Sequence, residues 1–250
     1  MKNVHVGTSG FYYKHWLTDF YPTGIKRGTL LSYYANHFST VEINSSFYTL
    51  LKETTVNSWV KTVPADFVFT FKVSRYITHM KKLIYDEEAF KNFFQPLQIL
   101  ADQKAKQIVV FQTAASLHCN TERLETIFEK IPKGFRYAFE FRSPTWFTED
   151  VYKILKKNNA ALILSDSPEK DDDRLWPLKD IETTDFFYIR FHGSKSLFSS
   201  SYTDEELSDY ANLIKKKVKK GIEVFCYFNN DIGGHAIRNA KKLKELLTLN

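Results

Sequence analysis

The chain has 250 residues, 43% of them hydrophobic, with 35 Lys and Arg against 29 Asp and Glu and two cysteines. That length and apolar content can bury a substantial core, most simply as a single domain over 1–250, and so few cysteines argue against a disulfide framework or a cysteine-rich zinc site. The formal charge of +6 admits an anionic small molecule or a nucleic acid as partner, while no apolar run approaches the ~18 residues of a membrane span, so a soluble cytoplasmic protein in a reducing compartment is expected, with no membrane partner and an undetermined oligomeric state.

Period-two alternation and β-branched or aromatic enrichment predict eight strands, beginning near Val4, Thr40, Phe67, Ile108, Tyr137, Ala161, Phe186 and Glu223. Helical periodicity falls between them: Leu30 to Phe38, Thr55 to Thr62, Asp86 to Gln103, Thr121 to Lys130, Thr148 to Lys157, Thr203 to Lys219 and His235 to Leu247. Parallel strands need such crossovers, and eight units in this length suit an α/β (β/α)8 TIM barrel, with a doubly wound open sheet as the other arrangement. The connection after strand six is irregular: Ser167 to Asp185 contains Pro168, Pro177 and the exposed acidic run Asp171 to Asp173, leaving room for a short helix near Lys179 to Glu182. Thr203-Asp-Glu-Glu206 reads as a capping box, and Asp86-Glu-Glu88 puts negative charge at a helix start. The lysine runs near 215–220 and 241–242 read as solvated helix faces.

The strand ends carry the chemistry. They read Gly7-Thr-Ser9, Glu42 with Asn44 and Ser46, Lys72 with Ser74 and Arg75, Gln112, Glu140 with Arg142, Ser165-Asp166, Arg190 with His192, and Asn229-Asn-Asp231. Alternation puts Glu140 and Arg142 on one strand face and Phe139 and Phe141 on the other, and gives Glu42, Lys72, Arg190 and His192 the same inward parity. A barrel filled for stability alone uses Val, Ile and Leu in its layers, and active sites lie at the C-terminal strand ends. Buried charges must pair, meet water or hold a ligand. One outcome is an internal network, Glu140 with Arg142 and Glu42 with Lys72 or Arg190. The other is a site.

Gly7-Thr-Ser-Gly10 with Trp16 and Phe20-Tyr-Pro22, Val41-Glu-Ile-Asn-Ser-Ser-Phe-Tyr48, Thr78-His79, Glu140-Phe-Arg142 with Trp146, Asp166 with Pro168, Arg190-Phe-His-Gly193 and Phe228-Asn-Asn230 together resemble the YecE-like domain-of-unknown-function family over nearly the whole chain. The resemblance implies a TIM barrel and no particular activity. One departure follows strand four, where the family usually has Gln, a proline pair, Ser and Phe but this chain reads Gln112-Thr-Ala-Ala-Ser-Leu117.

Three local features bear on function. The aromatic connection Gly10 to Gly28 either packs over the barrel or offers a stacking surface, the packed loop being favoured. His192-Gly-Ser-Lys195 and the glycines Gly233 and Gly234 before the last helix suit an anion site at a helix N-terminus, or simply a sharp turn. His79, His192 and His235 with Glu42, Glu140 and Asp166 include metal-ligand types but lack metal-site spacing, so no metal is assigned and the cofactor is left unknown. The expected function is acid/base chemistry, a hydrolase being one form, on a phosphate- or carboxylate-bearing substrate. Glu42, Glu140 and His192 would transfer protons, Lys72, Arg142 and Arg190 would hold the anion, and Asn44, Asp166, Asn229, Gly233 and Gly234 would complete binding. A nucleic-acid-binding or nuclease-like barrel and a non-catalytic ligand-binding protein are the alternatives.

Overall fold

Eight strands form where aromatic and β-branched residues alternate: β1 Val4–Thr8, β2 Thr40–Ile43, β3 Val68–Lys72, β4 Ile108–Gln112, β5 Arg136–Glu140, β6 Ala160–Asp166, β7 Phe186–Phe191 and β8 Glu223–Phe228. In this computed structural model, which describes residues 3–101, 107–167 and 181–248, they lie in the sheet order β1-β8-β7-β6-β5-β4-β3-β2. A bridge from Ser9 to Glu42 links β1 to β2, the two ends of that order. The registers are parallel, as the helical crossovers require, and the chain has the (β/α)8 fold. The predicted acidic run Asp171 to Asp173, and Lys179 and Asp180 of the short helix near Lys179 to Glu182, lie outside the described residues.

The helices are α1 Trp16–Asp19, α2 Leu30–Ala35, α3 Ser45–Tyr48, α4 Glu53–Val60, α5 Glu87–Phe94, α6 Gln98–Ala101, α7 Thr121–Lys130, α8 Glu149–Lys157, α9 Asp204–Lys219 and α10 His235–Thr248. Their starts have local causes. Asp86 accepts from the Ala89 amide, Asn120 from that of Arg123, and Thr148 from that of Val151. Thr203 and Glu206 complete the expected capping box on α9. The single helix predicted from Asp86 is interrupted instead: α5 stops at Phe94, Gln95–Leu97 is a 3-10 turn containing Pro96, and α6 follows. Proline lacks the amide that a continuous helix would use there.

The described residues divide into two compact units. The first comprises 3–42, 164–167 and 185–248. Its strands β1, β7 and β8 stack rings along the sheet, with Phe191 on Phe228 at 4.3 Å and Tyr188 on Tyr227 at 4.9 Å. Gly7 lets β1 approach the Thr40 carbonyl so closely that a β-carbon there would lie 2.2 Å from that oxygen. The first connection packs inward, since Trp16, Phe20 and Tyr21 are buried and the Trp16 indole donates to Asp231 at 2.8 Å. Lys217 departs from the solvated-face expectation: it is buried, with its ammonium over the Phe187 ring.

The second unit comprises 43–101, 107–163 and 181–184. Its core stacks Phe69 on Phe71 within β3 and Phe111 on Phe139 between β4 and β5, and Phe128 of α7 packs on Phe139. Full burial of each such ring stabilises by roughly 1.5–3 kcal/mol. Phe141 stacks on Trp146 at 4.5 Å, and the Trp146 indole donates to the Leu117 carbonyl at 2.7 Å. The apolar parity of β5 thus meets the helical layer, leaving Glu140 on the opposite face.

Candidate functional site

In the first unit the C-terminal ends of β1, β2 and β7 bring together Ser9, Glu42, Tyr188 and Arg190. Glu42 and Arg190 are buried, and Arg190 Nη2 donates to Glu42 Oε1 at 2.6 Å. Ser9 Oγ donates to the same oxygen at 2.6 Å, and the Tyr188 hydroxyl to Oε2 at 2.7 Å. Burial alone would push the Glu42 pKa up. The Arg190 charge and the hydrogen bonds from Arg190, Ser9 and Tyr188 outweigh it and hold the carboxyl below its ordinary value. Desolvation and the Glu42 charge push the Tyr188 phenol well above its usual pKa, so it stays a donor. Of the two partners weighed for Glu42, the geometry places Arg190 against it.

His192 and Asn229 also meet in this unit. The Asn229 amide nitrogen can only donate, so the 3.1 Å contact makes His192 Nδ1 the acceptor and leaves the ring proton on Nε2. Asp166 is buried, and its carbonyl accepts from the His192 amide at 2.7 Å. Burial first, and the Asp166 charge second, raise the phenol pKa values of Tyr202 and Tyr210. Asn239 of α10, which the sequence did not single out, is a buried clamp: its Oδ1 accepts from Asn230 Nδ2 at 2.8 Å and from the Tyr202 amide at 3.2 Å.

Between β7 and α10, the loop donors largely serve the loops themselves. The Gly193 amide donates to the Tyr202 hydroxyl, and those of Lys195 and Ser196 to Ser200 Oγ, each at 3.0 Å. Gly233 and Gly234 have φ of +83° and +71°, and the Gly234 amide donates to the Asp231 carbonyl. This left-handed turn accounts for both glycines.

The second unit assembles the other charged strand ends. Glu140 is buried at the end of β5; Arg142 Nη2 lies 2.6 Å from its Oε1, and Gln112 Nε2 donates to Oε2 at 3.0 Å. The departure after strand four therefore leaves Gln112 engaged with Glu140. The Arg142 side chain keeps 22% of its surface exposed, so one end of this pair faces solvent. At the end of β3, Lys72 Nζ sits 4.0 Å over the Phe47 ring, which also meets the His79 ring at 5.0 Å. Asn44, which precedes α3, has a buried Oδ1 with no hydrogen-bond partner among the described residues.

His79 is carried by Tyr76–Met80, a π-helical turn that follows β3. Thr78 Oγ1 spends its proton on the Ser74 carbonyl at 3.0 Å, so at 2.9 Å it accepts from His79 Nδ1. That leaves His79 Nε2 with its lone pair. Desolvation, then the charges of Lys72, Arg75 and Arg142, lower the His79 pKa from its ordinary 6.5, so the ring is neutral at pH 7. The sequence marked His79 as a possible ligand type; its place beside three cations was not readable there. Among the described residues no group of three or more His, Cys, Asp or Glu side chains could hold a metal ion, and no helix is long and apolar enough to cross a membrane.

Buried ion pairs at strand ends, where a structural barrel carries aliphatic layers, define a (β/α)8 protein with charged clusters at its C-terminal strand ends. Residues 5–250 match the family described as Protein of unknown function DUF72, and the chain belongs to that family. It is 25% identical over 254 residues to the UPF0759 protein YunF of Bacillus subtilis, covering 92% of this chain and 90% of that protein. The UPF0759 protein YecE of Escherichia coli K12 is 27% identical over 130 residues, 52% of this chain and 47% of that protein. A solved DUF72 family protein from Thermotoga maritima is 29% identical, with a TM-score of 0.84 and 98% of each chain covered. One from Enterococcus faecalis, at 24% identity and a TM-score of 0.79 over 99% of this chain and 98% of that one, shows the same fold.

Proposed function

We propose that this DUF72 protein is an enzyme that moves protons on a small anionic substrate, carboxylate- or phosphate-bearing, held by Lys72, Arg75 and Arg142. The observation that supports it is the gathering of Lys72, Arg75 and Arg142 around His79, whose pKa is lowered first by desolvation and then by those three charges. Like charges gathered around a partly desolvated ring favour the approach of an anion. Glu140, fixed by Gln112 and Arg142, is the carboxylate placed to take or return a proton, with His79 Nε2 as the second acceptor. Asn44 Oδ1 would accept from a substrate hydroxyl or amide.

In this proposal Glu140, Lys72, Arg142 and Asn44 keep the roles expected from the sequence, and His79 and Arg75 are added to them. Glu42 is engaged by Arg190, Ser9 and Tyr188 and serves as an anchor, with Arg190 as its counter-ion. His192, Asp166, Asn229, Gly233 and Gly234 support the loops of the first unit.

The test is a thermal-shift screen with inorganic phosphate, sugar phosphates and small carboxylates, since a ligand at 100 times its Kd adds about 2.7 kcal/mol of stability. A shift that disappears in Arg142→Ala, together with turnover of the stabilising compound that Glu140→Gln abolishes, supports the proposal. A shift that survives both Arg142→Ala and Arg75→Ala removes it. Stabilisation only by oligonucleotides, vanishing at high salt, would instead identify a nucleic-acid binder.

A further inference from the structure

The second unit also holds a cleft of about 560 Å³ next to the cation group. Its apolar surface comes from Phe47, Tyr48, Leu50, Tyr76 and Met80, and Arg75 stands in its wall. Tyr48 is 78% exposed, Met80 66% and Leu50 48%. Large apolar side chains left this open beside a polar cluster mark a surface that binds something. The cleft and the cation group share residues: Arg75 lines one and acts electrostatically on His79, and Phe47 lines one while contacting Lys72 and His79.

The segment that shapes the cleft is held in an uncommon conformation. Tyr76 and Met80 are the two ends of the π-helical turn, and it is followed by Lys82 and Leu83, both left-handed at φ 49° and 61°. Neither is glycine, so each holds its backbone in a conformation that L side chains disfavour. Leu83 is buried and its amide donates to the Ile77 carbonyl, while Arg123 Nη1 donates to the Lys82 carbonyl at 3.1 Å. Strain sustained by such specific contacts gathers at ligand clamps.

From the proposed anion site, on which this step rests, we infer that the cleft is the specificity pocket for the apolar arm of the substrate: the ligand is an aryl or alkyl phosphate or carboxylate whose acidic head reaches Arg75 and Lys72 and whose body lies between Tyr48, Tyr76 and Met80. The volume suits one small organic group, within the roughly 300–1,000 Å³ of ordinary ligand pockets. Asp86 and Glu88 also line the cleft and disfavour a second negative charge on the ligand. The arm is therefore uncharged or a hydrogen-bond donor.

The experiment is isothermal titration of the full chain with 1-naphthyl phosphate against inorganic phosphate, and with 1-naphthoate against acetate. Burying the ring system should tighten the naphthyl compound of at least one pair by about tenfold or more over its parent anion. Tyr48→Ala and Met80→Ala, both at exposed positions, should each erase most of that gain, and the pair that shows it distinguishes a phosphate from a carboxylate head. If both naphthyl compounds bind no more tightly than their parents, or the gain persists in both variants, the cleft is not the pocket and the anion site stands. If none of the four compounds binds, the anion site itself falls and this inference falls with it.

Discussion

Replacing Arg190 by Met removes the counter-ion of a fully buried carboxylate while keeping most of the side-chain volume. Glu42 and Arg190 have side-chain exposures of 0% and 1% and meet at 2.6 Å, so water cannot take the place of the lost guanidinium. Breaking a buried pair from one side costs about 3–5 kcal/mol. Ser9 and Tyr188 still donate to Glu42, which places the expected loss near the lower end, about 3 kcal/mol at pH 7. In a chain of this size that corresponds to a fall in Tm of about 6–12 °C. The pH dependence is the sharper signature. In the wild type the folded pKa of Glu42 lies below its unfolded value near 4.5, so its stabilising contribution is present above that value and fades as pH falls. Without Arg190 desolvation prevails, the folded pKa rises above the unfolded one, and the carboxyl takes up a proton as pH drops from 7 toward 5. The gap between variant and wild type should therefore narrow on acidification. Urea unfolding at pH 7 and pH 5 measures it, and adding Glu42→Gln to the variant should recover part of the loss. A loss below about 1 kcal/mol, or one equal at the two pH values, would refute this account of the pair.

Gly7→Ala should destabilise by about 1–3 kcal/mol or prevent folding, because its β-carbon would meet the Thr40 carbonyl at 2.2 Å; denaturant unfolding that matches wild type would contradict the close approach. Thr203→Ala removes one half of the capping box and should cost about 1 kcal/mol, read from the same curves. His79, with its pKa depressed, contributes a stability cost that appears as pH falls below 6.5, where the unfolded ring protonates first; His79→Gln should flatten the stability profile between pH 7 and 5. If an anion binds beside it, the His79 pKa should rise, since the ligand offsets the charges of Lys72, Arg75 and Arg142. An NMR titration of that ring with and without phosphate measures the shift, and a pKa unchanged at saturating phosphate would place the anion elsewhere.

The sequence by itself determined what local chemistry decides. Each strand begins within one residue of the position at which alternation puts it, because period-two burial is a property of the strand alone. Thr203 and Glu206 cap α9, and Asp86 caps α5, because those contacts span three residues. The parity of β5, with Glu140 opposed to Phe139 and Phe141, has the same origin. Only the tertiary structure decided partnership. Alternation says which face Glu42 occupies, but not that Arg190, 148 positions away, stands across from it in place of Lys72. It likewise placed Lys72 on a polar strand end without showing that its ammonium would rest on Phe47. Nothing local distinguishes Asn239 from a surface asparagine, or announces that Tyr76–Met80 winds as a π-helical turn and sets His79 among cations. Those outcomes depend on register and packing between segments far apart in the chain, where no short-range periodicity carries the information.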